Sequence, residues 1–224
     1  MVQTKFMKDK RLGLLGGTFN PIHLGHLHAA RIVKAEFDLN KVFFIPSYIP
    51  PHKDRKEMVS AEHRMEMVEL AIQGFPDFYP SSVEIDAGGK SYSINTLRKF
   101  RKLYSDADIF FILGIDAFLE IETWMEHEKL LEESHFIVIS RPGYSLFDAT
   151  EILDNKYPDK VVNLSDFRRL KRTKKTGPLI ILFPFKALDI SSTQIRERIK
   201  TGKSISGFVP DRVENFITKN KLYQ

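Results

Sequence analysis

GGTFNPIHLGHL, residues Gly16 to Leu27, follows directly on the short apolar run RLGLL at 11–15. Two adjacent glycines after a strand and before a helix give the geometry in which backbone N–H groups approach an anion. His23 and His26 stand three apart, so both imidazoles can face one side of the first helical turn. Each favourable contact of an anion with such a helix start is worth about 0.3–1 kcal/mol when exposed, and several converging donors add up. The spacing is not GxGxxG, because Gly25 comes eight residues after Gly17, and it is not GxxxxGK[ST], because no lysine follows. Taken alone, the residues also fit a tight turn with two surface histidines.

Outward from this turn, short β-rich runs alternate with helical patterns. RLGLL (11–15) reads as the first strand and Leu24 to Phe37 as the first helix. KVFFIP (41–46), SSVEID (81–86), DIFFILG (108–114), HFIVISR (135–141), KVVNL (160–164) and PLIILFPF (178–185) read as further strands. Helices are expected over 61–75, 93–104, 124–134 and 145–157, and two more close the chain at SSTQIRERIKTG and PDRVENFITKN. In the helix over 61–75, Met65, Val68, Leu70, Ala71 and Ile72 are the expected core residues, and Gly74 stops it. The alternation implies an α/β fold, a Rossmann-like, doubly wound parallel sheet in a single domain over 1–224 with C-terminal helices.

Composition limits the function. The chain has 224 residues and no cysteine, which excludes a disulfide framework, a Cys-based zinc site and a thiol nucleophile. No apolar run approaches the roughly 20 residues of a membrane span. The amino terminus lacks the apolar core of a signal peptide, so a cytoplasmic location is expected. The net charge is +5, but RRLKRTKK (Arg168–Lys175) carries six positive charges, and without it the rest sums to −1. The basic character is local, which argues against nucleic acid as the main partner.

Three further stretches bear on ligand binding. Ser191 with Gln194 forms a capping box that starts a helix directly after the last strong strand. Ser192 and Thr193 would offer hydroxyls there, and Arg196 a fork suited to phosphate oxygens; a plain capped helix fits the same residues. Asp116 lies at the carboxyl end of DIFFILG, where acids meet ribose hydroxyls or cap a helix starting at Ala117. Trp124 is the only tryptophan, and its default place is the core.

The ordered set GGTFNPIHLGHL, IPSYIPPHK, GKSYSINTL, FILGIDAF with Trp124 downstream, ISRPGY, ISSTQIRERI and VPDRVENFITKNKLY resembles the bacterial nicotinate-nucleotide adenylyltransferase family of the His-x-Gly-His nucleotidyltransferase superfamily. The resemblance covers most of the chain apart from about 145–185, a variable insertion holding the basic run, with 191–224 as a closing helical segment. It implies that nicotinate mononucleotide attacks the α-phosphorus of ATP, giving deamido-NAD and pyrophosphate. By resemblance, ATP is held by Gly16, Gly17, Thr18, Phe19, His23, His26, Gly114, Asp116, Ile190, Ser191, Ser192, Thr193 and Arg196. The mononucleotide is held by Thr18, Lys53, Tyr92, Ser93, Thr96, Trp124 and Arg141, with Trp124 stacking on the pyridine ring. His23, His26 and Arg196 are the implied catalytic residues, His26 foremost. Ser93, a possible cap of the helix opened by SYSINT, stands where members of the family commonly carry Thr.

A phosphate monoester is mostly dianionic at pH 7, so the nucleophile arrives deprotonated and catalysis reduces to alignment and charge stabilisation. Mg²⁺ is expected with the ATP, held mainly by phosphate oxygens and water. The partners implied are ATP and nicotinate mononucleotide, with no membrane partner; a homo-oligomer is left open. Pantetheine-phosphate adenylyltransferase is the nearest rival, but that family typically has Thr at the position of His23 and lacks the Trp124 and SYSINT context. A class I aminoacyl-tRNA synthetase would need more chain for tRNA recognition.

Overall fold

Among the described residues, seven strands form one sheet whose order is β3-β2-β1-β4-β5-β7-β6, with every neighbouring pair parallel. The computed structural model describes residues 11–51, 58–140, 153, 155–157, 160–167 and 177–224. Lys53, Arg141, most of the helix expected over 145–157 and the basic run lie outside the described residues. The strands are β1 (Arg11–Gly17), β2 (Lys41–Pro46), β3 (Phe78–Pro80), β4 (Asp108–Gly114), β5 (His135–Ile139), β6 (Val161–Asn163) and β7 (Ile180–Phe183). Between and after them run α1 (Leu24–Phe37), α2 (Ala61–Ile72), α3 (Val83–Ala87), α4 (Ser93–Leu103), α5 (Ile115–Phe118) and α6 (His127–Glu133). Two helices follow β7, α7 (Ser192–Lys200) and α8 (Asp211–Lys219).

The period of two along each strand sends alternate side chains to opposite faces, and helices cover both. On β2, Val42 and Phe44 join the core formed with α1, α2, α7 and α8, while Phe43 and Ile45 join the one formed with α4, α5 and α6. Each fully buried side chain of this kind, such as Phe37 or Ile137, contributes about 1.5–3 kcal/mol. Gly13 on β1 has no side chain because the layers close in there. A Cβ would stand 2.8 Å from Leu39 Cδ1 and 2.9 Å from Ile112 Cδ1.

The structure corrects three local readings. SSVEID is not a strand: the third strand is Phe78–Pro80, and Val83–Ala87 is a helix. The V-E-I-D alternation imitates a strand, but Ser82 donates its hydroxyl to Asp86 at 2.7 Å and accepts the Asp86 N–H on its carbonyl at 2.8 Å, which closes a helical turn. Within α2, Met65 and Leu70 are only half-buried, while Met67 and Arg64 are buried. The helix opened by SYSINT is capped by Tyr92, so Ser93 is its first residue and not the cap.

Candidate active site

The carboxyl ends of β1 and β2 emerge together, with Gly16 paired to Ile45 and Gly17 to Pro46. Phe19 follows at φ 48, and Asn20–Pro21 is a cis peptide. The Phe19 side chain is buried beneath the turn, edge-on to His26 at 5.0 Å and against Phe44 at 6.0 Å. His23 caps α1 in an extended conformation and is 6% exposed. Its N–H donates to His26 Nδ1 at 3.2 Å, and the two rings lie 3.7 Å apart. Because Nδ1 of His26 accepts, the proton of the neutral ring sits on Nε2.

Gly25 explains the middle letter of His-x-Gly-His. A Cβ there would stand 2.9 Å from His23 Nδ1 and 3.0 Å from its Cε1, with the Ile190 carbonyl at 3.6 Å. Glycine lets the imidazole lie against the helix start and lets the segment before α7 pack there. His28, one turn on, is occupied differently: its Nε2 meets the Lys186 carbonyl at 3.2 Å and its ring stacks on Phe185.

The start of α7 faces this turn. Ser191 caps the helix, accepting the Gln194 N–H at 3.1 Å as its sequence implies. Ser192 donates its hydroxyl to the Pro21 carbonyl at 2.8 Å. Arg196 donates to the Asn20 carbonyl at 2.9 Å and to Thr193 Oγ1 at 3.2 Å. The fold therefore brings residues 190–196 against residues 20–26. The neighbouring strand β4 ends at Gly114, which caps α5; that helix starts at Ile115, so Asp116 stands inside its first turn and not as the cap of a helix from Ala117.

Arg64, absent from the sequence-level candidates, is the hub beneath the site. It is 1% exposed and donates to the carbonyls of Thr18 at 2.8 Å, Ser47 at 2.6 Å, Tyr48 at 3.1 Å and Val59 at 3.2 Å. It thus ties the end of β1 to the end of β2 and to the approach to α2. Burial lowers its pKa from the usual arginine value, against a favourable influence from Tyr223 and Glu62. Its position was legible: Ala61, Arg64, Val68 and Ala71 follow helical spacing on the buried face.

A second group gathers around the start of α4. Ser91 receives the Tyr48 N–H on its hydroxyl at 2.8 Å and gives its own N–H to the Ile49 carbonyl at 2.9 Å. Thr96 is buried, and its hydroxyl donates to Glu84 Oε1 at 2.6 Å. Burial pushes the Glu84 carboxyl up, while hydrogen bonds from Thr96 and Ser91 and the charge of Lys99 oppose the rise. Thr96 therefore anchors the turn through its hydroxyl, a role its place among the substrate-binding candidates did not anticipate. Tyr92 and Trp124 are both half-buried at the margin of the core formed with α4, α5 and α6. Trp124 is thus not a fully buried core residue.

The cytidylyltransferase-like family model matches residues 14–198. A protein of Desulfitobacterium hafniense (strain Y51) named "Probable nicotinate-nucleotide adenylyltransferase" is 42% identical over 215 residues, 96% of each chain. The chain belongs to the nicotinate-nucleotide adenylyltransferase family of cytidylyltransferase-like proteins. A family member from Desulfatibacillum aliphaticivorans, under the same printed name, is 41% identical over 95% of this chain and 99% of its own. Among solved structures, the Plasmodium falciparum nicotinic acid mononucleotide adenylyltransferase complexed with NaAD superposes with a TM-score of 0.73 at 19% identity, over 96% of this chain and 97% of that one. This last likeness is one of fold. No described helix is long and apolar enough to cross a membrane.

Proposed function

We infer that this protein transfers the adenylyl group of ATP to nicotinate mononucleotide, giving deamido-NAD and pyrophosphate, a step of NAD biosynthesis. The observation that carries the reading is the meeting of the β1–α1 turn with the start of α7 through the Ser192–Pro21 and Arg196–Asn20 hydrogen bonds. Family membership supplies the acceptor. A phosphate oxygen of the mononucleotide forms a bond to the α-phosphorus as the bond to the β-phosphate oxygen breaks. The nucleophile is already an anion near pH 7, so no protein base is needed.

We assign the residue roles by the family resemblance, and that geometry supports them. Gly16, Gly17, Thr18, Phe19, Gly114, Asp116 and residues 190–193 frame the ATP site. His26 presents its Nε2–H to the triphosphate, because Nδ1 is engaged by the His23 N–H. His23 and Arg196 stabilise charge on the departing pyrophosphate. Tyr92, Ser93, Thr96 and Trp124 frame the nicotinate side, where the start of α4 favours a carboxylate over a carboxamide. Lys53 and Arg141 complete the proposal as phosphate ligands of the mononucleotide. The substrate is proposed to be Mg-ATP, with the ion held by phosphate oxygens and water. Among the described residues, no group of three or more His, Asp or Glu side chains is placed to hold an ion. A single catalytic domain over 1–224 and a cytoplasmic site of action belong to the same proposal.

The test is pyrophosphate release from Mg-ATP with nicotinate mononucleotide, nicotinamide mononucleotide or phosphopantetheine as acceptor. Turnover that prefers nicotinate mononucleotide supports the reading. Turnover with phosphopantetheine alone, or with no acceptor, overturns it.

A further inference from the structure

The last residues of the chain reach the turn that opens the site. After α8 the backbone turns back through Lys221 at φ 51 and Tyr223 at φ 66, and the Leu222 N–H meets the Ile217 carbonyl at 3.0 Å. Leu222 is buried in the core beside α7 and α8, which docks the tail. From there Tyr223 donates its hydroxyl to Asn20 Oδ1 at 3.0 Å, across 203 positions of sequence.

Asn20 is 5% exposed and is held from several directions. Its side-chain oxygen also accepts the Val59 N–H at 3.3 Å, and its main-chain oxygen accepts the Arg196 guanidinium at 2.9 Å. It stands three residues before His23. One residue thus links the tail, the approach to α2, the head of Arg196 and the His-x-Gly-His turn. Burial pushes the Tyr223 phenol up, and the nearby Arg196 and Arg64 charges pull the other way, so the hydroxyl stays a donor at neutral pH.

We propose that Tyr223 is a positioning residue for adenylyl transfer, which sets the turn at His23 and His26 against Arg196 by holding Asn20. This rests on the function proposed above. Removing the hydroxyl takes away one of the donors on Asn20 Oδ1 and leaves that oxygen to the longer Val59 contact, which loosens the side chain. The Asn20 carbonyl, part of the same turn, then holds Arg196 less firmly. Groups that grip the phosphates matter most in the transition state, where small misplacements are costly. The effect therefore falls on kcat more than on the KM for the mononucleotide.

The experiment measures pyrophosphate release by the full chain under saturating Mg-ATP and over a range of nicotinate mononucleotide. Wild type, Tyr223→Phe, Asn20→Ser, their double variant and Ile217→Val are compared at matched folded fractions. Ile217→Val trims a methylene from the core near the same tail and serves as the control for loosened packing. Tyr223→Phe is expected to lower kcat about tenfold with the mononucleotide KM within about twofold. The double variant is expected to be no slower than Asn20→Ser, because both changes remove one contact. A wild-type kcat in Tyr223→Phe, an equal loss in Ile217→Val, or multiplicative losses in the double variant would overturn the proposal. Absence of pyrophosphate release from wild type itself would show in the first assay and would overturn the functional reading beneath it.

Discussion

The β1–α1 turn and the start of α4 lie on the two sides of the proposed reaction, and they are held in different ways. The turn is fixed from far along the chain: Arg64 reaches Thr18, Ser192 reaches Pro21, Arg196 and Tyr223 reach Asn20. The start of α4 combines one near tie, Thr96 on Glu84 twelve residues away, with one distant tie, Ser91 on Tyr48 across 43 positions. One region draws its side-chain anchors from separate elements; the other is pinned partly by a nearby half-buried carboxylate and partly from the end of β2. The first suits a phosphate grip that must be in place before ATP arrives, and the second a pocket that one side chain can reshape. Arg64 joins them, because its guanidinium holds both Thr18 and Tyr48.

The largest expected effect comes from that join. Arg64→Met would leave four carbonyls short of donors in a buried site, and should cost about 3–5 kcal/mol in urea unfolding. A loss under about 1 kcal/mol would mean the two regions are not joined there. Next, His26→Ala should lower kcat for pyrophosphate release by about 10²–10³-fold, as loss of one preorganised donor does. Acid should then act on the fold, away from both regions. His135 stacks on Phe110 and accepts the Leu179 N–H on Nδ1 at 3.1 Å. Burial lowers its pKa to about 4.

A histidine kept neutral in this way stabilises fully above its unfolded pKa, and the contribution is lost as pH falls from about 6.5 towards 4. Unfolding free energy should drop by about 2–3 kcal/mol over that window from this residue, and His135→Asn should flatten the drop. The smallest effect is on the α4 side. Thr96→Val removes a donor from Glu84 and should cost about 1–2 kcal/mol, while raising the KM for the mononucleotide and leaving that for ATP unchanged.

How much of this was legible in the sequence divides along the same comparison. The bounds of α1, β2 and β4 agree with the sequence reading, because apolar periodicity and turn residues mark them. The capping box at Ser191 and the facing of α7 towards the glycine-histidine turn were also legible, one from spacing and the other from family resemblance. Arg64 was missed because a buried arginine reads as a surface charge until it is noticed on an apolar stripe. Asn20 and Tyr223 were missed because their pairing spans nearly the whole chain and no local pattern records it. The strand expected at SSVEID failed because period two and a short helical turn are alike over so few residues, and the Ser82–Asp86 bond decides between them.

In the proposed reaction the glycine-histidine turn grips the phosphates of ATP while the acceptor is held elsewhere. The direct measurement is steady-state pyrophosphate release by wild type and His26→Ala, with both Mg-ATP and nicotinate mononucleotide varied. The expected result is a kcat lowered by about 10²–10³-fold with the mononucleotide KM unchanged. A wild-type kcat in the variant, or a loss confined to the mononucleotide KM, would contradict it.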